Sequence, residues 1–182
     1  MDTEVEEQIW AWVDNVVIGL NLCPFAIKPR KYRQIGLKIS DASEPEQLLE
    51  DILMEFFKLE QSDPTQLDTT LVVVSNMLHD FAHYNNFIDW LDQMIEQQGW
   101  QGVFQVATFH PNYRFAGTTA DDPQNLTNCA PYPIFHLLRE ASIERVLAST
   151  PKPENIPVNN IAQVRSLSYA QKQELFPYLF KL

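Results

Sequence analysis

Glycine is scarce in this sequence, and the common glycine-rich functional motifs are missing. Only 5 of the 182 residues are glycine. None lies in a GxGxxG or GxxxxGKS/T phosphate-binding loop, and no GxSxG nucleophile elbow occurs. These absences argue against the usual nucleotide-binding loops and the α/β-hydrolase elbow. We therefore expect no organic cofactor.

Cysteine is equally rare, since Cys23 and Cys129 are the only two. They form neither a disulfide framework nor a metal-ligand spacing. Cys23 follows a predicted helix, where the helix dipole raises a thiol pKa, whereas reactive cysteines usually begin a helix. The simpler interpretation of Cys23 is a buried structural thiol, and a place in a functional site is the alternative.

Long apolar runs and an excess of positive charge are also lacking. The longest apolar run, Val16 to Leu20, is far shorter than the ~20 residues of a membrane helix, and Met1 to Glu7 is acidic where a secretory signal would be basic. The net charge is −11, which disfavours nucleic-acid binding. We expect a soluble cytoplasmic protein that binds neither nucleic acid nor membrane.

Positive charge is concentrated in one segment. No acidic residue lies between Asp14 and Asp41, and five cations do: Lys28, Arg30, Lys31, Arg33 and Lys38. Such a patch could attract an anionic ligand. A solvated basic loop is the simpler interpretation.

Hydrophobic periodicity predicts alternating helices and strands. The predicted helices cover residues 3–21, 43–57, 80–98, 134–146, 157–167 and 169–180, and the predicted strands cover 35–39, 69–75 and 102–109. Strands joined by helices favour parallel pairing. We predict one globular domain over residues 1–182 with an α/β fold: a small, mostly parallel three-stranded sheet flanked by helices, with a helical C-terminal region. An α+β fold is the alternative.

The long connection after the third predicted strand concentrates polar side chains. Ligands of open parallel sheets bind beyond the carboxyl ends of the strands, and His110 is the first polar residue there. His110 is a candidate general acid or base, or it hydrogen-bonds the loop backbone. Arg114 either clamps an anion or pairs with Asp121 or Asp122. The two aspartates either cap a turn or bind a cation.

A second group of polar residues lies on the helix predicted from residue 134. His136, Arg139 and Glu140 would share one face of that helix. Two histidines, His110 and His136, with one carboxylate would suit zinc or iron. Because the helix lacks an HExxH motif, we predict no metal site as the first choice.

The chain resembles a bacterial family catalogued only as domain of unknown function 1415. The resemblance rests on VIGLNLCPFA at 17–26, TTL at 69–71, DFAHYNNF at 80–87, QVATFHPNYRFAGT at 105–118, DDPQNLTN at 121–128 and APYPIFHLLREAS at 130–142. The family pattern has arginine where this chain has Cys129, so a cation there is not required. The resemblance supports the extent of the site and implies no activity.

We predict a site in which His110 and His136 are catalytic. Its predicted substrate-binding residues are Asn21, Cys23, Asn112, Tyr113, Arg114, Asp122, Asn125, Asn128 and Arg139. The first hypothesis is a cofactor-independent hydrolase or group transferase that acts on a small anionic metabolite. The alternatives are a non-catalytic binding or regulatory module, and a metal-dependent enzyme using His110 and His136.

Overall fold

The computed structural model describes residues 2–180, which contain seven α-helices. They are α1 (Asp2–Trp12), α2 (Ile27–Lys31), α3 (Pro45–Gln61), α4 (Phe81–Gln97), α5 (Glu140–Ser149), α6 (Ile156–Ser166) and α7 (Tyr169–Leu175). A π-helical segment, Val13–Ile18, continues α1, and a 3-10 helix, Pro123–Thr127, interrupts the long connection. Among these residues no helix is both long and apolar enough to cross a membrane.

The four strands form one mixed sheet. They are β1 (Ile35–Ser40), β2 (Thr69–Val74), β3 (Phe104–Phe109) and β4 (Ile134–Arg139), in the order β1-β2-β4-β3. β1 and β2 pair in parallel, and β4 is antiparallel to both β2 and β3. β1, β2 and β3 therefore point the same way and end at one edge, where β4 begins.

The predicted α/β class is confirmed in part. The three predicted strands exist, and the first two are parallel neighbours. The prediction of a three-stranded, mostly parallel sheet is wrong, because β4 lies between β2 and β3.

The predicted helix over residues 134–146 is wrong in its first half. Residues 134–139 form β4, and α5 begins only at Glu140. Ile134, Phe135 and Leu137 are buried on the two faces of the sheet, as a central strand requires. A short apolar run of this kind has no periodicity that separates a buried strand from a buried helix.

Helices cover both faces of the sheet. On one face α3 and α4 pack against Val72, Val74 and Phe135. On the other face α1, its π-helical continuation and α6 pack against Leu71 and Ile134. Burying each such side chain stabilises the fold by roughly 1.5–3 kcal/mol. The carboxyl ends of β1–β3 and the long connection lie at one edge of this layered structure.

Candidate functional site

His110 is buried and holds the loop backbone. Its Nδ1 accepts a hydrogen bond from the Asn112 N–H at 2.9 Å, so Nε2 carries the proton and donates to the Leu78 carbonyl oxygen at 3.0 Å. The ring packs against Phe81 and Tyr84 of α4. Burial lowers the pKa of His110. Both ring nitrogens are occupied, so the loop-backbone interpretation fits the structure and no nitrogen is free to serve as a general acid or base.

Arg139 lies at the opposite end of the sheet from the carboxyl ends of β1–β3. Its Nη2 donates to the carbonyl oxygens of Leu59, Ser62 (2.9 Å) and Leu67 (3.3 Å). The side chain thus holds the C-terminal end of α3 and does not face a ligand cavity with Arg114. The predicted helix face shared with His136 is wrong, because both residues are on a strand, where residues three apart point to opposite faces.

His136 lies on the α1 face of the sheet with one nitrogen fixed. The Thr69 hydroxyl donates to the Leu137 carbonyl oxygen, so it accepts from His136 Nε2 at 2.7 Å. Nδ1 has no hydrogen-bond partner among residues 2–180, and the ring lines a cavity. Burial lowers the pKa of His136 to about 4. The imidazole is therefore neutral at pH 7, with an acceptor nitrogen that is not paired.

The alternative hypothesis of a metal site shared by His110 and His136 does not fit the structure. His110 packs on α4 at one face of the sheet, whereas His136 lies near Phe109 on the other face. Within the described range, 2–180, no group of three or more histidine, cysteine, aspartate or glutamate side chains could hold a metal ion. The sheet itself separates the two imidazoles.

Instead, His136 shares a cavity with Cys23. This space of about 200 Å³ lies between the π-helical segment and the sheet, and we call it the thiol cavity. Trp12 and Phe109 form aromatic walls, and Leu71 forms part of the apolar floor. Its remaining lining residues are Val13, Val17, Leu22, Ala26, Ile35, Thr127, Asn128 and Asn160. Over residues 2–180, no charged side chain lines the cavity.

The hydrogen bonds around the thiol cavity leave few polar groups free. Asn160 Nδ2 donates to the Leu22 carbonyl oxygen at 2.6 Å. Asn128 Nδ2 donates to the Thr108 carbonyl oxygen at 3.0 Å, and its Oδ1 accepts from the Thr127 hydroxyl. The groups left to meet a ligand are Asn160 Oδ1, His136 Nδ1 and the Cys23 thiol.

The Cys23 thiol is protonated at neutral pH. Burial raises its pKa, and this effect outweighs the backbone N–H groups of Phe25 and Ala26, which lower it. Asn21, two residues earlier, has a positive φ of 54° and ends the helical segment. It is exposed and does not line the cavity. Of these two predicted site residues, Cys23 lines the thiol cavity and Asn21 does not.

Five other predicted residues line a second cavity of about 650 Å³, which we call the loop cavity. It lies on the far side of the 3-10 helix, between the long connection and the C-terminal segment. The five are Asn112, Tyr113, Arg114, Asp122 and Asn125. Arg114 Nε donates to the Thr118 carbonyl oxygen at 2.8 Å. No carboxylate of residues 2–180 pairs with Arg114, while Asp122 lies 3.5 Å from Arg165.

The basic segment is partly neutralised. Arg30 forms a two-pronged ion pair with Asp14 at 2.7 and 2.8 Å, and it lies over the Trp10 ring at 4.3 Å. Lys38 lies 3.0 Å from Asp51. Two of its five cations are therefore in ion pairs, which favours a surface role for this segment over an anion-binding site.

Asn160 and Lys172, which line the thiol cavity and the loop cavity respectively, were missed by the sequence analysis. Both lie in C-terminal helices and have no local motif around them. Only the packing of α6 and α7 against the long connection brings them to the two cavities.

Comparison with known proteins gives one match. The family model described as "Protein of unknown function (DUF1415)" matches residues 4–174. The chain belongs to this family. No curated protein and no solved structure matches it. The matched range includes the whole lining of the thiol cavity and that of the loop cavity except Leu179 and Phe180, and the family description assigns chemistry to neither.

Proposed function

We propose that this DUF1415 protein binds a small, uncharged molecule in the thiol cavity. The supporting observation is a half-open cavity that brings Cys23, His136 and Asn160 together and whose walls, over residues 2–180, carry no charged side chain. Typical drug-sized ligands occupy roughly 300–1,000 Å³, and this cavity has about 200 Å³. The ligand is therefore smaller than a drug-sized molecule.

The free polar groups favour a ligand that donates hydrogen bonds. His136 Nδ1 and Asn160 Oδ1 are acceptors on half-buried side chains, and a hydrogen bond from a ligand to either would contribute roughly 0.5–1.5 kcal/mol. A primary amide, an alcohol or a phenol would satisfy these acceptors while its carbon frame packs against Trp12 and Phe109. Among the described residues, a carboxylate or phosphate has no cation in this cavity to pair with.

Cys23 favours an enzyme as the second candidate function, a cofactor-independent hydrolase or acyl transferase. In that reaction Cys23 Sγ forms a bond to a substrate carbonyl carbon while its proton passes to His136 Nδ1. The leaving group then departs with that proton, and water or another acceptor takes the acyl group from the thioester. The thiol and the imidazole are both neutral at rest, so we expect slow background reactivity.

Binding is tested by fragment screening with thermal shift. We expect small neutral amides and phenols to raise the melting temperature of the protein, and His136→Leu to abolish the effect by removing the acceptor. His83→Leu is the matched control, because His83 is exposed on α4. A set of fragments that stabilise both variants equally would refute the proposed site.

Turnover is tested on a panel of small neutral esters and amides. Cys23→Ala removes the nucleophile and should abolish hydrolysis, whereas Cys129→Ala, which alters a buried cysteine outside the thiol cavity, should not. Hydrolysis that persists in folded Cys23→Ala would refute the enzyme and leave ligand binding as the proposed function.

We also propose a cytoplasmic location. The two free cysteines support it, because the cysteines of exported proteins are usually paired in disulfides.

A further inference from the structure

We propose that the loop cavity is a separate binding site for a small anion, a carboxylate or a phosphate ester, held by Arg114 and Lys172. Both cations line this space of about 650 Å³, whereas the described residues give the thiol cavity no charged side chain. The proposal concerns a different site and ligand class from the proposed function, so either can fail alone.

Arg114 is oriented for recognition of an anion. Its Nε donates to the Thr118 carbonyl oxygen, and Thr118 is itself held by a bond from its hydroxyl to Asn125 Oδ1 at 2.9 Å. Asn125 is buried and also accepts from the Phe115 N–H at 3.1 Å. With Nε bonded to the loop backbone, the two terminal nitrogens of this exposed side chain remain for a planar carboxylate or a phosphate.

Lys172 reaches the same cavity from α7. The helix begins with a capping box in which Ser168 and Gln171 bond each other's backbone, which fixes the first turn that carries Lys172. Over residues 2–180 neither Lys172 nor Arg114 has a carboxylate within salt-bridge distance. Within that range the two cations are unpaired, so they supply the local positive potential that an anion needs against the net charge of −11.

The two aspartates that line the cavity, Asp121 and Asp122, differ in how strongly they oppose an anion. Asp122 is offset by Arg165 at 3.5 Å, and its carboxylate also accepts from the Gln124 N–H at 3.0 Å. Asp121 has no cationic partner within residues 2–180, and a bond from the Thr119 side chain lowers its pKa. Asp121 therefore stays ionised and opposes an anion. Its removal should strengthen binding.

The test is a titration of the full chain with inorganic phosphate and, separately, with acetate, at constant ionic strength. The signal is the Arg114 Nε–H resonance, assigned by its loss in Arg114→Gln. We expect the resonance to shift saturably. The probe that binds with the higher affinity, phosphate or acetate, identifies the chemical class of the ligand.

Two variants should change the affinity for the anion in opposite directions. Lys172→Gln should weaken binding about tenfold, the effect of one charge-assisted hydrogen bond, while Asp121→Asn should strengthen it about threefold. Lys152→Gln, an exposed lysine elsewhere, should change nothing. Absence of saturable binding of both probes overturns the proposal, and so does binding that Lys172→Gln leaves unchanged.

Discussion

His136 shows how one side chain is prepared for a ligand by its surroundings. Thr69 fixes the proton on Nε2, and burial disfavours the charged imidazolium. The result is a neutral ring that lines the thiol cavity and keeps one acceptor nitrogen without a partner among residues 2–180. Because the folded state disfavours protonation of His136, this ring should contribute to the pH dependence of the free energy of unfolding.

We predict that the free energy of unfolding falls as pH falls from 7 to 5. The folded protein keeps His136 neutral down to about pH 4, whereas the unfolded chain takes up a proton near pH 6.5. The unfolded state thus binds more protons in this window, and His136 accounts for about 2 kcal/mol of the loss.

Urea unfolding at pH 7 and pH 5 measures this effect in the wild type and in His136→Gln. The variant should lose about 2 kcal/mol less between the two pH values, while the exposed-site control His83→Gln should behave as the wild type does. The pKa of His110 is also lowered, so part of the pH dependence should persist. An identical pH slope in His136→Gln would show that this ring is not buried in the folded protein.

Among the elements, α3 depends on a side chain from another part of the chain. The last carbonyl groups of a helix have no partner within the helix, and Arg139 supplies donors to Leu59, Ser62 and Leu67 at and after the end of α3. Arg139 at the end of β4 therefore ties the sheet to α3. Its role is structural, in place of the ligand role that the sequence indicated.

We predict that Arg139→Met lowers the free energy of unfolding by about 3 kcal/mol, because several carbonyl groups lose charged donors. Arg145→Met, at an exposed position of α5, should change it by less than about 0.5 kcal/mol. Urea denaturation midpoints compare the two. Equal midpoints would mean that the Arg139 guanidinium does not hold the end of α3 in solution.

The elements also show what local sequence can predict. α3 and α4 were predictable because their apolar residues recur at helical spacing with long polar faces between them. β4 was not, because IFHLL is apolar on both faces of a central strand and looks the same as the start of a buried helix. The misassignment of six residues placed His136 and Arg139 on a common face that does not exist.

For the whole molecule, the position of β4 decides which predicted residues meet. Since β4 lies between β2 and β3, His136 and Arg139 enter different layers. Most of the other predicted residues divide between the thiol cavity and the loop cavity. Arg114 and Asn125 were predictable as neighbours because they lie in one connection. The meeting of Cys23, His136 and Asn160 depends on long-range packing of α1, β4 and α6, for which the sequence has no local signal.

The most direct test of a ligand site in the thiol cavity is a methyl NMR titration with small neutral amides and phenols. Val17 and Leu71 methyl groups line the cavity, while Val72 and Val74 face the α3–α4 layer and serve as internal controls. We predict saturable shifts at Val17 and Leu71 without comparable shifts at Val72 and Val74. No shift at the cavity methyl groups, or equal shifts in both layers, would contradict the site.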